Sequence, residues 1–299
     1  MKDVWNTSKI GDLSGRVAIV TGANIGLGFE TTLALAAKNC EVILACRSEE
    51  KAKAAILEIQ KDFPKSKLHF IKLDLNSLKS VEEFSNQIKE KFSRLDLLIN
   101  NAGLMCPPLA LTNEGFESQF GVNHLAHFAL TGHLLELITN TVDSRIISLA
   151  SLAHRWGDIY FSDLNFKKSY SKTKAYGQSK LACLMFSYEL NRLFKEKGIQ
   201  TKSIAAHPGI AVTNLTKYFP GFMKSISKVI SQPASVGALP TLRAACDESL
   251  SGGEYIGPAG FREFKGHPVV VSSSKKSMDR EVAKKLWEVS ESLTGVKIF

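Results

Sequence analysis

Apolar residues along this 299-residue chain follow two alternating rhythms. Short, β-branched runs occur at Arg16–Thr21, Glu41–Cys46, Leu68–Leu73, Leu95–Asn100, Arg145–Ala150 and Thr201–Ala206. Each is short enough for a strand. Between them lie Ile25–Lys38, Glu49–Asp62, a stretch ending at Phe92, Glu114–Asn140 and Lys172–Lys197, where apolar positions recur at helical spacing. The alternation predicts βαβ units, hence a parallel sheet with right-handed crossovers and helices on both faces. The last third is less regular. Pro233–Cys246 and Met278–Leu293 read as helices, and Gly252–Pro268 as loop with a short strand. The expected fold class is therefore α/β, a single-domain doubly wound parallel sheet of about seven strands over residues 1–299. Ligands of such sheets sit outside the carboxyl ends of the strands. Every motif below falls at that edge.

The first strand runs into Thr21-Gly22-Ala23-Asn24-Ile25-Gly26-Leu27-Gly28. Gly22 lets the chain turn out of the strand. Gly26, with Asn24 and Ile25 beside it, lets backbone approach phosphates, and Gly28 allows close helix–strand packing. The helix start then offers unpaired N–H groups and partial positive charge to a pyrophosphate. After the second strand comes Ala45-Cys46-Arg47-Ser48, with no carboxylate until Glu49. An acidic residue there would hold a ribose 2′-hydroxyl; Arg47 offers a guanidinium fork to a 2′-phosphate instead. NADP(H) is thus the preferred cofactor, with NAD(H) second. Asp74, followed by Leu75, is placed to accept the adenine amino group or to cap the helix near Ser77. Asn100-Asn101-Ala102-Gly103 ends the fourth strand, where small residues let backbone lie against the adenine ribose, or simply turn the chain.

Tyr176 and Lys180 are one helical turn apart and share a face. A free tyrosine titrates at about 10, and a neighbouring ammonium favours phenolate. Ser151, at the end of the fifth strand, can steady a substrate oxygen while Tyr176 moves the proton. Ser148, inside that strand, reads as packed or strand-bonded. The Asn123 carboxamide can hold a water that links Lys180 to solvent, or be a satisfied buried amide. Tyr-x-x-x-Lys alone is common on surface helices. Combined with the glycine turn it indicates hydride transfer between a nicotinamide cofactor and an alcohol, aldehyde or ketone.

With T-G-x-x-x-G-x-G, N-N-A-G, the helix asparagine, the serine and Y-x-x-x-K in order, the chain resembles the short-chain dehydrogenase/reductase family over nearly its whole length. Gly121-Val122-Asn123-His124-Leu125, Ser151-Leu152-Ala153-His154, Asp163-Leu164-Asn165 and His207-Pro208-Gly209 resemble its retinol dehydrogenase/WW-domain oxidoreductase branch. The resemblance implies a seven-stranded Rossmann-type fold and a tetrad of Asn123, Ser151, Tyr176 and Lys180. Tyr176 and Lys180 also contact cofactor, with Lys180 on the nicotinamide ribose. Pro208, Gly209 and Thr213 provide the nicotinamide-side contact. In this branch an arginine after the second strand goes with NADP(H). Family members commonly read Asn-Val-Ser-Ser at the fifth strand; here it is Ser148-Leu149-Ala150-Ser151.

Composition narrows the rest. With 44% hydrophobic and 22% charged residues, the chain is ordinary globular material. The formal charge of +9 comes from scattered lysines such as Lys51, Lys53, Lys61, Lys284 and Lys285, with no dense basic run interleaved with aromatics, so no nucleic-acid partner is expected. Five separated cysteines without C-x-x-C suggest reduced thiols and a cytoplasmic location. Met1–Leu13 lacks an apolar core, and no run of about 18 apolar residues exists, so neither leader nor integral membrane segment is expected. His124 and His127 have metal-ligand spacing without an acidic or cysteine partner, and no metal is expected. Leu215–Ile230 holds Tyr218, Phe219, Phe222 and Met223; within region 210–265 the stretch Leu215–Met223 reads as a substrate lid that favours a lipophilic substrate, or as a surface helix packing on the core. Glu114–Asn140 and Lys172–Lys197 carry much apolar surface, and the family resemblance implies that such helices pair into a homodimer. Two rival readings are a non-catalytic NAD(P)-sensing regulator and a sugar-nucleotide epimerase. The complete set of catalytic residues argues against the first, and the glycine spacing against the second.

Overall fold

The computed structural model describes residues 4–210 and 232–299. Strands β1 (Val17–Thr21), β2 (Glu41–Cys46), β3 (Leu68–Lys72), β4 (Leu97–Asn100), β5 (Arg145–Leu149), β6 (Lys202–Ala206), β7 (Tyr255–Pro258) and β8 (Pro268–Val270) form one sheet. Their order is β3-β2-β1-β4-β5-β6-β7-β8. The first seven are parallel, and β8 pairs antiparallel with β7. The chain winds outward from β1 in one direction and from β4 in the other. Their junction is the switch point at which α/β sheets open a crevice.

Alternate residues of each strand feed two cores. Ala18, Val20, Val42 and Leu44 pack with helices α1 (Gly26–Ala36), α2 (Glu49–Asp62) and Leu239–Cys246 on one face. Ile19, Ile43, Leu98 and Ile146 pack on the other face against α3 (Leu78–Lys91), the helical run 118–139 and α7 (Lys172–Glu196). Ser48, Ser77 and Ser171 cap α2, α3 and α7 through their side chains, and each such cap contributes about 1 kcal/mol.

Two elements differ from expectation. The sheet gains β8, an edge strand of three residues too short to show a period. The helix expected over Glu114–Asn140 starts at Ser118 and is not uniform. A π turn, Gly121–Leu125, separates α4 (Ser118–Phe120) from α5 (Ala126–His133), and α6 (Leu135–Thr139) follows. The apolar surface of α5 and α7 is covered within the same chain. Trp287, on the helix Arg280–Thr294, stacks on Phe186 at 5.8 Å and meets Phe128 edge-on at 5.2 Å. No helix among the described residues is long and apolar enough to cross a membrane.

Candidate active site

The carboxyl end of β1 is tied to that of β4 through Thr21. Its hydroxyl accepts from the N–H groups of Asn101 and Ala102, both at 2.9 Å, and its carbonyl accepts from the Asn101 side chain at 2.7 Å. The same hydroxyl lies 3.0 Å from His127 Nε2. His127 Nδ1 donates to the Asn123 carbonyl at 3.0 Å, so Nε2 is bare and takes the Thr21 proton. Burial pushes the His127 pKa down to about 4, which keeps the ring neutral. His127 thus connects the glycine turn to the π turn.

The glycine turn suits a pyrophosphate. Gly22 has φ +66°, and a Cβ on Gly28 would lie 2.3 Å from the Gly22 carbonyl oxygen. Helix α1 begins after Ile25, which is extended, exposed and makes no side-chain cap, so the first-turn N–H groups face outward. With Gly26 and the half-buried Asn24, these are the residues present to hold phosphates. Arg47 follows β2, exposed and without an ion pair among the described residues. Asp74 is half-buried. It does not cap α3, a task taken by Ser77; its Oδ1 accepts from Asn76 N–H at 3.0 Å, and Leu75 beside it is buried.

Ala102 and Gly103 bridge the two halves. A Cβ on Gly22 would lie 3.1 Å from Ala102 Cβ; one on Gly103 would lie 3.0 Å from Asn123 Oδ1 and 3.5 Å from Lys180 Nζ. Lys180 is buried in α7 and donates to the Leu149 carbonyl at 2.8 Å. The Asn123 carboxamide accepts from Leu104 N–H at 2.7 Å and donates to Leu104 O at 3.0 Å and Ser179 Oγ at 2.9 Å. It therefore clamps the segment after Gly103. Its carbonyl, presented by the π turn, accepts from His127 and from the Cys183 thiol at 3.1 Å.

Ser151 ends β5 and faces Tyr176. Its Oγ accepts from Ala153 N–H at 3.2 Å, which leaves the hydroxyl proton free. Tyr176 is 9% exposed, and burial pushes its pKa up to about 12, against a weaker lowering by the Ser151 hydroxyl. This differs from the expectation that Lys180 depresses it: desolvation outweighs any ammonium effect in the free protein. Burial also lowers the Lys180 pKa. Of the two readings of Ser148, packed or strand-bonded, the structure has the packed one: it is buried within β5, and its hydroxyl has no partner among the described residues.

Several supporting residues were not singled out from the sequence. His154 Nδ1 donates to the Ser151 carbonyl at 2.7 Å while Nε2 accepts from Ser274 N–H at 3.2 Å, fixing the end of β5. His207 Nδ1 accepts from Gly209 N–H at 3.2 Å, and Nε2 donates to Glu263 at 3.0 Å. Glu263 also pairs with Arg155 at 2.7 Å. This network holds Pro208 and Gly209 at the end of β6. The only sequence signal for Glu263 is its place in a glycine-rich loop. Thr213 and the lid expected over Leu215–Met223 lie outside the described residues.

A cavity of about 330 Å³ is lined by Cys106, Pro108, Leu109, Tyr170 and Lys172. Cys106 packs against Tyr176 and Ala153, which puts this cavity next to the phenol. Its size lies at the lower end for small-molecule sites. A larger cavity, about 640 Å³, between the amino-terminal segment and residues 243–249 shares no residue with this region.

The short chain dehydrogenase family profile matches residues 16–221. Retinol dehydrogenase 13 of Homo sapiens is 39% identical over 288 residues, covering 95% of this chain and 86% of that protein. Retinol dehydrogenase 11 of Mus musculus is 38% identical, covering 96% and 88%. A solved structure of a protein from Mycobacterium paratuberculosis is 37% identical and aligns with a TM-score of 0.84, covering 99% of both chains. A short chain dehydrogenase from Shigella flexneri, complexed with NADP, shares the fold at 22% identity and a TM-score of 0.67, covering 83% and 98%.

Proposed function

This chain belongs to the short-chain dehydrogenase family, in its retinol dehydrogenase branch, and on that footing we propose that it is an NADP(H)-dependent oxidoreductase for lipophilic carbonyl and alcohol substrates. The observation that carries the reading is the meeting of Ser151, Tyr176 and Lys180 across Gly103 from the glycine turn. The nicotinamide, when bound, supplies or accepts the hydride. Everything else falls to the chain's own residues.

The uncapped start of α1 and Gly22, Asn24, Ile25, Gly26 and Gly28 hold the pyrophosphate. Arg47 binds the 2′-phosphate, Asp74 and Leu75 the adenine, and Asn101, Ala102 and Gly103 its ribose. Pro208, Gly209 and Thr213 line the nicotinamide side, and Lys180 the nicotinamide ribose. Ser151 donates its free proton to the substrate oxygen. Tyr176, whose burial keeps it protonated at neutral pH, gives its phenolic proton to that oxygen as the carbon receives the hydride, and recovers one when the alcohol is oxidised. Asn123 maintains the path by which Lys180 returns protons from solvent. Pro108 and Leu109 offer apolar surface to the substrate. The expected site of action is the cytoplasm. A homodimer formed on the face of α5 and α7 that carries Phe128 and Phe186 would have to displace Trp287.

The test is NADPH and NADH oxidation with a panel of lipophilic aldehydes and ketones, retinal included. NADPH-dependent turnover is expected. Tyr176→Phe is expected to reduce it by about 10³-fold with NADPH affinity kept within about twofold. Turnover that survives the substitution overturns the mechanism.

A further inference from the structure

Asn100 Oδ1, His124 Nδ1 and Ser148 Oγ are buried polar atoms without a hydrogen-bond partner among the described residues. All three residues line the same small cavity behind α7. They are 4%, 2% and 3% exposed, respectively. Orphans this deep are rare in native proteins, because each costs about 1–3 kcal/mol. We propose that this cavity is a binding site for a single internal water, which accepts a proton from Ser148 and gives its own two to Asn100 and His124.

The proton pattern follows from the neighbours. The Ser290 hydroxyl donates to the Leu286 carbonyl at 2.7 Å, so it must accept from His124 Nε2–H at 2.8 Å. His124 Nδ1 is then a bare acceptor, and burial, which pushes the ring down to about 3, keeps it neutral. The Asn100 amide nitrogen donates to Thr131 at 3.3 Å, leaving Oδ1 as acceptor. Ser148 has a hydroxyl proton to give. Two acceptors and one donor match the hydrogen bonds of one water. The cavity is about 10 Å³, room for one such molecule. Leu149, Cys183 and Phe186 form the rest of its wall with Asn123 and His127, so no charge is present to hold an ion.

The water would join β4, β5 and the π turn. Each bonded residue adjoins one of the site: Asn100 precedes Asn101, Ser148 precedes the Leu149 carbonyl that holds Lys180, and His124 follows Asn123. Asparagine at position 148 would be larger by two non-hydrogen atoms and would bring an NH₂ donor of its own.

A crystal structure of the full chain at about 1.5 Å tests the site independently of any turnover. A single solvent peak within hydrogen-bond distance of all three atoms is expected. An empty cavity, or Asn100 and His124 turned to bond one another, overturns the proposal. In Ser148→Asn the peak is expected to vanish, with the new amide reaching Asn100 Oδ1 or His124 Nδ1 and Tm held within about 1 °C. Ser148→Ala, which removes a donor and supplies none, is expected to lower Tm by about 2–4 °C. A water retained beside the asparagine, or an alanine variant as stable as the parent, counts against it.

Discussion

His207 Nε2 donates to Glu263 Oε2 at 3.0 Å, and this fixes a ring whose other nitrogen accepts from the backbone of Gly209. The pair orients the Pro208–Gly209 segment from a loop 56 residues away in sequence. Burial lowers the His207 pKa; at Glu263 burial acts upward, but the hydrogen bond from His207 and the charge of Arg155 bring the net shift down. The pair is therefore a neutral imidazole donating to a carboxylate. Glu263→Ala leaves the ring N–H unpaired and is expected to raise KM for NADPH about tenfold, with a smaller change in kcat. Glu263→Gln keeps an acceptor and is expected to recover most of the loss. Steady-state kinetics of both variants decides; equal damage by alanine and glutamine removes the hydrogen bond as the cause.

The proposed preference for NADPH rests on Arg47. Exposed and unpaired among the described residues, it sacrifices no partner when it meets a 2′-phosphate. Arg47→Ala is expected to weaken NADPH by about 10–100-fold and NADH by less than about threefold. Isothermal titration with both cofactors checks this. Parallel losses would show that Arg47 does not read the phosphate.

Thr21 satisfies two half-buried backbone amides with one hydroxyl. Thr21→Val preserves shape and strands both donors, with His127 Nε2 losing its donor as well. The expected cost is about 2–4 kcal/mol, seen as a shift of the urea midpoint without change in slope. Cofactor affinity is expected to fall too, because Asn101 and Ala102 lose their anchor.

Acid is expected to destabilise the protein in a defined window. Folded pKa values are lowered by burial to about 3 for His124 and about 4 for both His127 and His154. The unfolded value is about 6.5. Between these limits the unfolded chain binds protons that the folded chain refuses, so the stability present above pH 6.5 declines as pH falls toward about 4. His133 and His207, whose pKa values burial also lowers, add to the effect. Calorimetric melting from pH 7 to 4.5 should show Tm falling with proton uptake on unfolding, and a flat profile over that range would contradict the neutral tautomers assigned to these rings.

The parts legible in the sequence were those with local signals. Strands β1, β2 and β4 are nearly continuous apolar runs, the glycine turn lies between a strand and a helix, and Tyr176 and Lys180 share a helical face. The π turn left no trace, because residues 116–130 are all buried, polar ones such as Gln119 and Asn123 included, and with no exposed polar face an added residue shifts no visible period. The His127–Thr21 contact spans 106 residues and joins two side chains that separately look like core fillers. The rise of the Tyr176 pKa also escaped, since the desolvation that causes it comes from side chains distant in sequence, Cys106 and Ala153 among them. The Asp74 and Ser77 alternatives separated only once the cap of α3 was visible.

The helix Arg280–Thr294 has a consequence for how this protein responds to dilution. Two-subunit contacts on the α5–α7 face of such folds dissociate as protein concentration falls, and stability falls with them. Here Trp287 and Ser290 occupy that face from within the same chain. The tether sets their effective concentration, whatever the number of molecules in the cell. The backing of α7 is therefore as firm at nanomolar abundance as at micromolar, and a sparsely expressed copy keeps the same packing as an abundant one.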